Sequence, residues 1–276
     1  MLEDRRHLLD SNYILPKDIQ ENQRLDLQHH LLKITLGSNY AAPLQADIST
    51  ILDVGCGTGR WGLDMAEECP QAEVTGLDLE LAAPDEQASD ASQPDNYIFV
   101  QGNVLEGLPF EGGLFDFVHQ RLLVTGIPTQ QWPKDIQELI RVTKPGGWIE
   151  MVEGGTGFIN PGPAMQQFIQ WWNDASRLRD IDASAVSQLD TLLQQVGLQK
   201  VQKKTLCIPA GKWGGPAGEL LAEDMLRGFS RLKGFFSNQI QVSTEEFDAT
   251  IRAMPAEWDT YHMEYEFYVF IGQVPS

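Results

Sequence analysis

Basic residues are scarce in this chain. Its 276 residues include 20 lysines and arginines against 39 aspartates and glutamates, a formal net charge of −19. A nucleic-acid backbone calls for a positive surface, and the densest basic cluster is only Lys200, Lys203 and Lys204. Nucleic acid is therefore not an expected partner, and an anionic membrane surface is disfavoured on the same ground. No apolar run approaches the roughly 20 residues of a spanning helix. The N-terminus carries acids where a signal peptide carries basic charge, so a cytoplasmic location is expected. Three cysteines, Cys56, Cys69 and Cys207, are too few and too far apart for a disulfide framework or a Cys-rich zinc site. His29 and His30 are adjacent, about 100° apart on a helix, and cannot share one ion; His7 and His262 have no matching partners, and no metal is expected. Internal repeats are also missing.

The pattern that is present alternates. Ile51–Val54, Glu73–Asp78, Tyr97–Val100, Phe115–His119 and Trp148–Val152 read as short buried strands. Helical patterns at 61–68 and 132–142 lie between them. Strand, helix, strand in repetition means a parallel sheet with helices on both faces. Ahead of it, Leu25, Leu27, Leu31, Leu32 and Ile34 recur at helical spacings, with Gly37 as a stop. Behind it, helices are expected at 163–179, 185–196, 218–236 and 243–253, the last opened by a capping box, Ser243-x-x-Glu246. Strands at 198–208 and 265–274 complete the chain. The Ala-, Asp-, Ser- and Pro-rich stretch 81–96 suggests a short or poorly ordered helix.

The strongest local signal is Asp53-Val54-Gly55-Cys56-Gly57-Thr58-Gly59-Arg60, an apolar strand running through three alternate glycines into a helix. Such a loop lets backbone approach a ligand, and the helix start offers free amides. A dinucleotide fingerprint needs Gly or Ala at position 60; Arg60 stands there, and an acid precedes the glycines. Asp53 suits a cationic ligand, such as the ammonium of S-adenosylmethionine, better than a pyrophosphate. Asp78, ending the second strand, is placed to accept from ribose hydroxyls. Asn103 and Val104, after the third, suit the edge and face of an adenine.

Together with the Phe115-Asp116-Phe117-Val118 strand and the Lys144-Pro145-Gly146-Gly147 turn, these residues make the segment 51–152 resemble the class I S-adenosylmethionine-dependent methyltransferases. Tyr13-x-Leu15-Pro16-x-Asp18, Glu21, Arg24-Leu25-x-x-Gln28-His29 and His119-Gln120-Arg121 add a narrower likeness to the LaeA-like branch, which includes regulators and enzymes of secondary metabolism. The resemblance implies an α/β, Rossmann-like seven-stranded sheet, mostly parallel with the last strand antiparallel, helices on both faces, an N-terminal helical extension and a helical insertion. It implies S-adenosyl-L-methionine as cofactor, contacted by Asp53, Gly55, Cys56, Gly57, Gly59, Asp78, Leu79, Asn103, Val104 and Gln120. Residues 1–46 would cap that site, bringing Tyr13, Arg24, Gln28 and His29 near the methionine end.

His119 and Arg121 share one face of the fourth strand, with Gln120 on the other. They are the candidate catalytic residues: His119 as a general base or a structural histidine, Arg121 as an anchor for a substrate carboxylate or a partner for an acid such as Glu153. Residues 157–183 and 211–240, with Trp171, Trp172, Trp213, Phe235 and Phe236, read either as helical core or as a cover for an apolar substrate. An Asn/Asp-Pro-Pro-Tyr/Phe element after the fourth strand, which marks many methyltransferases acting on amide or exocyclic nitrogens, is missing; with the acidic charge, this argues against DNA and RNA bases. The expected acceptor is a small molecule methylated at O, N or C. Two other readings stay open: a regulatory protein that binds the cofactor without such a substrate, and a nicotinamide oxidoreductase on a similar sheet, against which Asp53 and Arg60 both speak. The chain could act as a monomer or a homodimer.

Overall fold

The computed structural model describes residues 18–80 and 94–276. Helix α1 (Ile19–Leu36) is capped by the Asp18 carboxylate, which accepts from the Glu21 amide, and ends at Gly37 in the left-handed region. The sheet then builds through β1 (Thr50–Val54), α2 (Arg60–Glu68), β2 (Glu73–Asp78), β3 (Tyr97–Gln101), β4 (Phe115–Arg121), α3 (Trp132–Val142) and β5 (Thr143–Ile159). The remainder is α4 (Pro163–Arg177), α5 (Leu189–Gln195), β6 (Gln199–Pro209), α6 (Gly215–Ser230), α7 (Lys233–Ile240), α8 (Thr244–Tyr261) and β7 (Glu264–Gln273). Strand order is β3-β2-β1-β4-β5-β7-β6. β1 to β5 pair in parallel, and β7 runs antiparallel to both β5 and β6. This is the expected seven-stranded, Rossmann-like sheet.

Alternation along the strands sorts the core. Leu52, Val54, Val118 and Met151 pack with α3 and α5 on one face. Ile51, Phe117 and Trp148 meet Trp61 and Met65 of α2 on the other. On that second face, beyond β5, Val152, Leu206 and Val269 join α1, α4, α6, α7 and α8 in a second apolar cluster. Trp171 and Phe236 are buried in it, while Trp172 and Phe235 lie at its edge.

Several bounds differ from the sequence reading. The Lys144-Pro145-Gly146-Gly147 segment lies inside β5: Phe115 pairs with Thr143 and Phe117 with Trp148, so the segment bulges out of one strand. Helix α8 runs through Pro255 to Tyr261, held by fully buried Met254 and Trp258 on either side. The pattern at 218–236 is two helices, broken where Arg231 turns to Asp18 and Glu21 at the start of α1. Most of the 81–96 stretch, and Tyr13, lie outside the described residues.

Candidate cofactor and acceptor site

The glycine loop sits at the carboxyl end of β1, where ligands bind in open α/β sheets. Gly55, Gly57 and Gly59 have φ of 69°, 57° and 77°. The amides of Gly55 and Cys56 both donate to the Leu77 carbonyl, tying the loop to β2. A Cβ on Gly55 would come 2.6 Å from Leu123, so the segment after β4 closes on the loop only because that side chain is missing. Leu25 of α1 lies 3.3 Å from the corresponding point on Gly57. Thr58 Oγ1 donates to Asp26, also on α1, at 2.7 Å. Helix α1 thus touches the loop directly. Gly59 is the N-cap of α2 and offers no side-chain cap, so the first helical amides are left to the loop.

Asp78 is fixed at the loop's rim. Its Oδ2 accepts from the Gly57 amide at 2.9 Å and its Oδ1 from the Leu79 amide at 2.8 Å. A carboxylate accepts several hydrogen bonds at once, so a ribose diol can join these amides. Asn103 folds into a local turn instead: Oδ1 accepts from the Leu105 amide and Nδ2 donates to Glu106. Val104 is half-buried against the α3-side core. The cradle fits S-adenosylmethionine. Positive-φ glycines let backbone approach a ligand, and the Asp78 carboxylate at the loop's rim could accept from a ribose diol.

Beneath the loop a row of polar side chains crosses the sheet on the α1 and α2 face: Asp53, His119 and Glu150, in register on β1, β4 and β5. His119 Nδ1 donates to Asp53 Oδ1 at 2.8 Å. Its ring is 1% exposed and stacks on Trp61, centroids 3.8 Å apart. Burial lowers its pKa, so it is neutral at pH 7. Glu150 Oε2 accepts from the amides of Ala41 and Ala42, and burial raises its carboxyl to about 7. From α1, His29 Nε2 donates to Asp64 of α2, an acid that also pairs with Lys33 and Arg60. Burial, then the Arg121 guanidinium, pull His29 down to about 4. Arg121 is not paired with Glu153; it donates to His29 Nδ1 at 3.2 Å.

Glu153 has another task. At the carboxyl end of β5, with no exposed surface, it accepts from the Leu123 and Val124 amides at 2.9 and 3.2 Å. That holds the segment whose Leu123 rests on Gly55. Burial pushes its carboxyl to about 8. Gln120 faces the opposite side of the sheet and donates to Asp135 of α3.

Two expected contacts are engaged elsewhere. Arg24 is 6% exposed and pairs with Glu21 and with Asp224 of α6; Gln28 donates to the same Asp224. Buried charges need such partners, and these join α1 to the insertion. The sequence reading missed Asp26, Asp64, Leu123 and Asp224. A signal existed for Asp64, which lies four residues after Arg60 on one helix. None marked Asp224, whose partners are 196 and 200 residues away. Among the described residues no group of three or more His, Cys, Asp or Glu could hold a metal ion, and no helix is long and apolar enough to cross a membrane.

A family model described as "Methyltransferase domain" matches residues 51–147, from β1 into the bulge of β5. The N-methyltransferase gliN of Aspergillus fumigatus is 27% identical over 91% of this chain and 92% of its own. The N-methyltransferase verN of Clonostachys rogersoniana is 30% identical over 72% of this chain and 70% of its own. The secondary metabolism regulator LAE1 of Cochliobolus heterostrophus is 29% identical over 73% and 67%. Among solved structures, a phosphoethanolamine N-methyltransferase 2 of Haemonchus contortus shares the fold, with a TM-score of 0.56 at 18% identity; 96% of this chain is covered, which spans about half of that one. With its glycine cradle, its rim carboxylate and these relatives, the chain belongs to the class I S-adenosylmethionine-dependent methyltransferases, in their LaeA-like branch.

Proposed function

We propose that this methyltransferase acts on a nitrogen of a small-molecule acceptor in secondary metabolism. The observation that carries the reading is the extent of the likeness to gliN. Covering 91% of the chain, it must run beyond the cofactor domain into α4, α6 and α7, elements that would shape an acceptor pocket. The strong acidity and the His119-Gln120-Arg121-Leu122 sequence at the end of β4 support a small acceptor over a nucleobase.

S-adenosylmethionine supplies a methyl group already activated by its sulfonium. What remains for the protein is position and the exclusion of water. The loop amides and Asp78 would hold the nucleoside. Leu25 and Asp26 of α1 close over the loop. Residues 1–46 are proposed as the cap, and 157–183 and 211–240 as the cover of the acceptor. Glu153 sets the backbone of the segment after β4, where an acceptor would approach. The buried His119 is placed to hold Asp53 rather than to take a proton from an acceptor. An amine that arrives neutral needs no base for the attack itself.

The test is to incubate the protein with S-adenosylmethionine and panels of small amines, amides, phenols and carbon acids. S-adenosylhomocysteine release and a mass gain of one methylene are read by mass spectrometry. Turnover confined to nitrogen acceptors supports the proposal. Turnover confined to oxygen or carbon acceptors overturns it. The likeness to LAE1 favours a second reading, a regulator without a small-molecule substrate. Tight S-adenosylhomocysteine binding with no turnover on any panel would select it.

A further inference from the structure

Arg121 closes β4 as a half-buried cation to which no carboxylate is bonded among the described residues. The other arginines of the α1 side are matched: Arg24 with Glu21 and Asp224, Arg231 with Asp18 and Glu21. Three acids lie within electrostatic reach of Arg121, but none is bonded to it. Asp53 holds His119. Asp64 takes Lys33, Arg60 and His29. Glu150 takes two backbone amides on Oε2, while its buried Oε1 has no hydrogen-bond partner. The partner left to Arg121 is His29, whose Nδ1 accepts as a neutral imidazole. Drawing a guanidinium out of water without a bonded counter-charge is costly, and its planar fork is matched to a carboxylate.

Register says where such an anion would lie. Asp53 pairs with His119 and Val54 with Gln120, so Arg121 stands level with Gly55, the first glycine of the loop. Asp78, bonded to Gly57, marks the other flank at the end of β2. A ligand laid across the loop with its diol on the β2 side therefore carries its far end toward β4. Arg121 also lines a cavity of about 20 Å³ with His29, Asn39, Trp61 and Val152, room for one water beside the guanidinium.

We infer that Arg121 is the carboxylate-binding group of this site and takes the α-carboxylate of the cofactor's methionine half. The inference rests on S-adenosylmethionine being the cofactor. An acceptor carboxylate is the other source of the same chemistry, and the experiment separates the two.

Calorimetry compares S-adenosylhomocysteine with its decarboxylated analogue, which keeps the amine and the nucleoside. Wild-type protein is expected to bind the analogue about ten- to a hundred-fold more weakly, the scale of a charged hydrogen-bonded pair. Arg121→Met and the milder Arg121→Gln should bind the two ligands nearly alike. The ratio of the two affinities is the readout, so a general loss of stability cancels. Wild-type protein that binds both equally overturns the inference and returns Arg121 to the acceptor. Undiminished discrimination in both variants overturns it too. No binding of S-adenosylhomocysteine by wild-type protein would instead overturn the cofactor on which the inference rests.

Discussion

His119 donates its Nδ1 proton to Asp53 across the β1–β4 pair at 2.8 Å, while its ring lies flat against Trp61 with an interplanar angle of 6°. The two side chains are 1% and 4% exposed. A base that served the acceptor would need a path to it, and this ring, 1% exposed, meets only the one-water cavity it shares with Arg121. His119→Asn should therefore cost about 1–3 kcal/mol of stability, through an imperfectly replaced buried hydrogen bond and lost stacking. The pH dependence of turnover should keep its shape. Urea denaturation and a kcat profile against pH check both. Loss of one limb of that profile in the variant would make His119 the base.

Asp78 links the loop to the second strand through the Gly57 amide, and its proposed role is to hold the ribose diol. Asp78→Ala should weaken S-adenosylhomocysteine binding by about 1–3 kcal/mol, measured by calorimetry on a variant with a native thermal transition. Adenosine, which keeps the diol and lacks the amino acid, should weaken by a similar factor. An effect confined to S-adenosylhomocysteine would move Asp78 away from the ribose.

The sheet was legible because its signals are local. Glu73–Asp78 is a short run buried on both faces and Trp132–Val142 carries a helical period, and both appear at the expected bounds. The glycine loop needed no tertiary information, since strand, turn and helix are written in succession. What escaped was pairing between distant segments. Arg24 and Gln28 were expected beside the cofactor from their position in an N-terminal motif. Their partner Asp224 lies on an inserted helix, where a lone acid carries no periodic signal. The last helix, expected over 243–253, runs through Pro255 to Tyr261 with Met254 and Trp258 fully buried, and there packing energy exceeds local propensity.

The Arg24 cluster is one of two charged ties between α1 and the insertion, the other being Arg231 with Asp18 and Glu21. Removing one member of a buried ion pair leaves the other uncompensated, at a typical cost of about 3–5 kcal/mol. Arg24→Met should therefore loosen α1 first, exposing its amides to hydrogen exchange ahead of those in β1 and β4. Leu25 and Asp26 lie on the same helix and touch Gly57 and Thr58, so cofactor affinity should fall with it. Asp224→Asn should be milder, because an amide still accepts from Arg24. Equal protection of α1 in wild-type protein and Arg24→Met would show that its apolar packing and the Arg231 pair suffice to hold it.

Glu153 makes stability depend on pH in an unusual direction. Its ordinary value is 4.5 and its folded value about 8, raised by burial. Between these values the folded state binds more protons than the unfolded one, so stability falls as pH rises. Glu150 and Asp135, each raised to about 7 by burial, add the same sign over a narrower window. Asp64 has its pKa lowered on balance, burial being outweighed by hydrogen bonds from Lys33 and His29, and it loses its contribution as pH drops below its usual 3.8. His29 and His119, whose pKa values burial lowers from 6.5, oppose that decline at lower pH, so the net fall should be steepest from about pH 6.5 toward pH 8. Glu153→Gln should flatten the part of that decline above pH 7, where Glu150 and Asp135 have already ionised. Thermal melts from pH 4 to 9 on both proteins check this. Parallel curves above pH 7 would mean that Glu153 is ionised at neutral pH and holds the Leu123 and Val124 amides as a carboxylate.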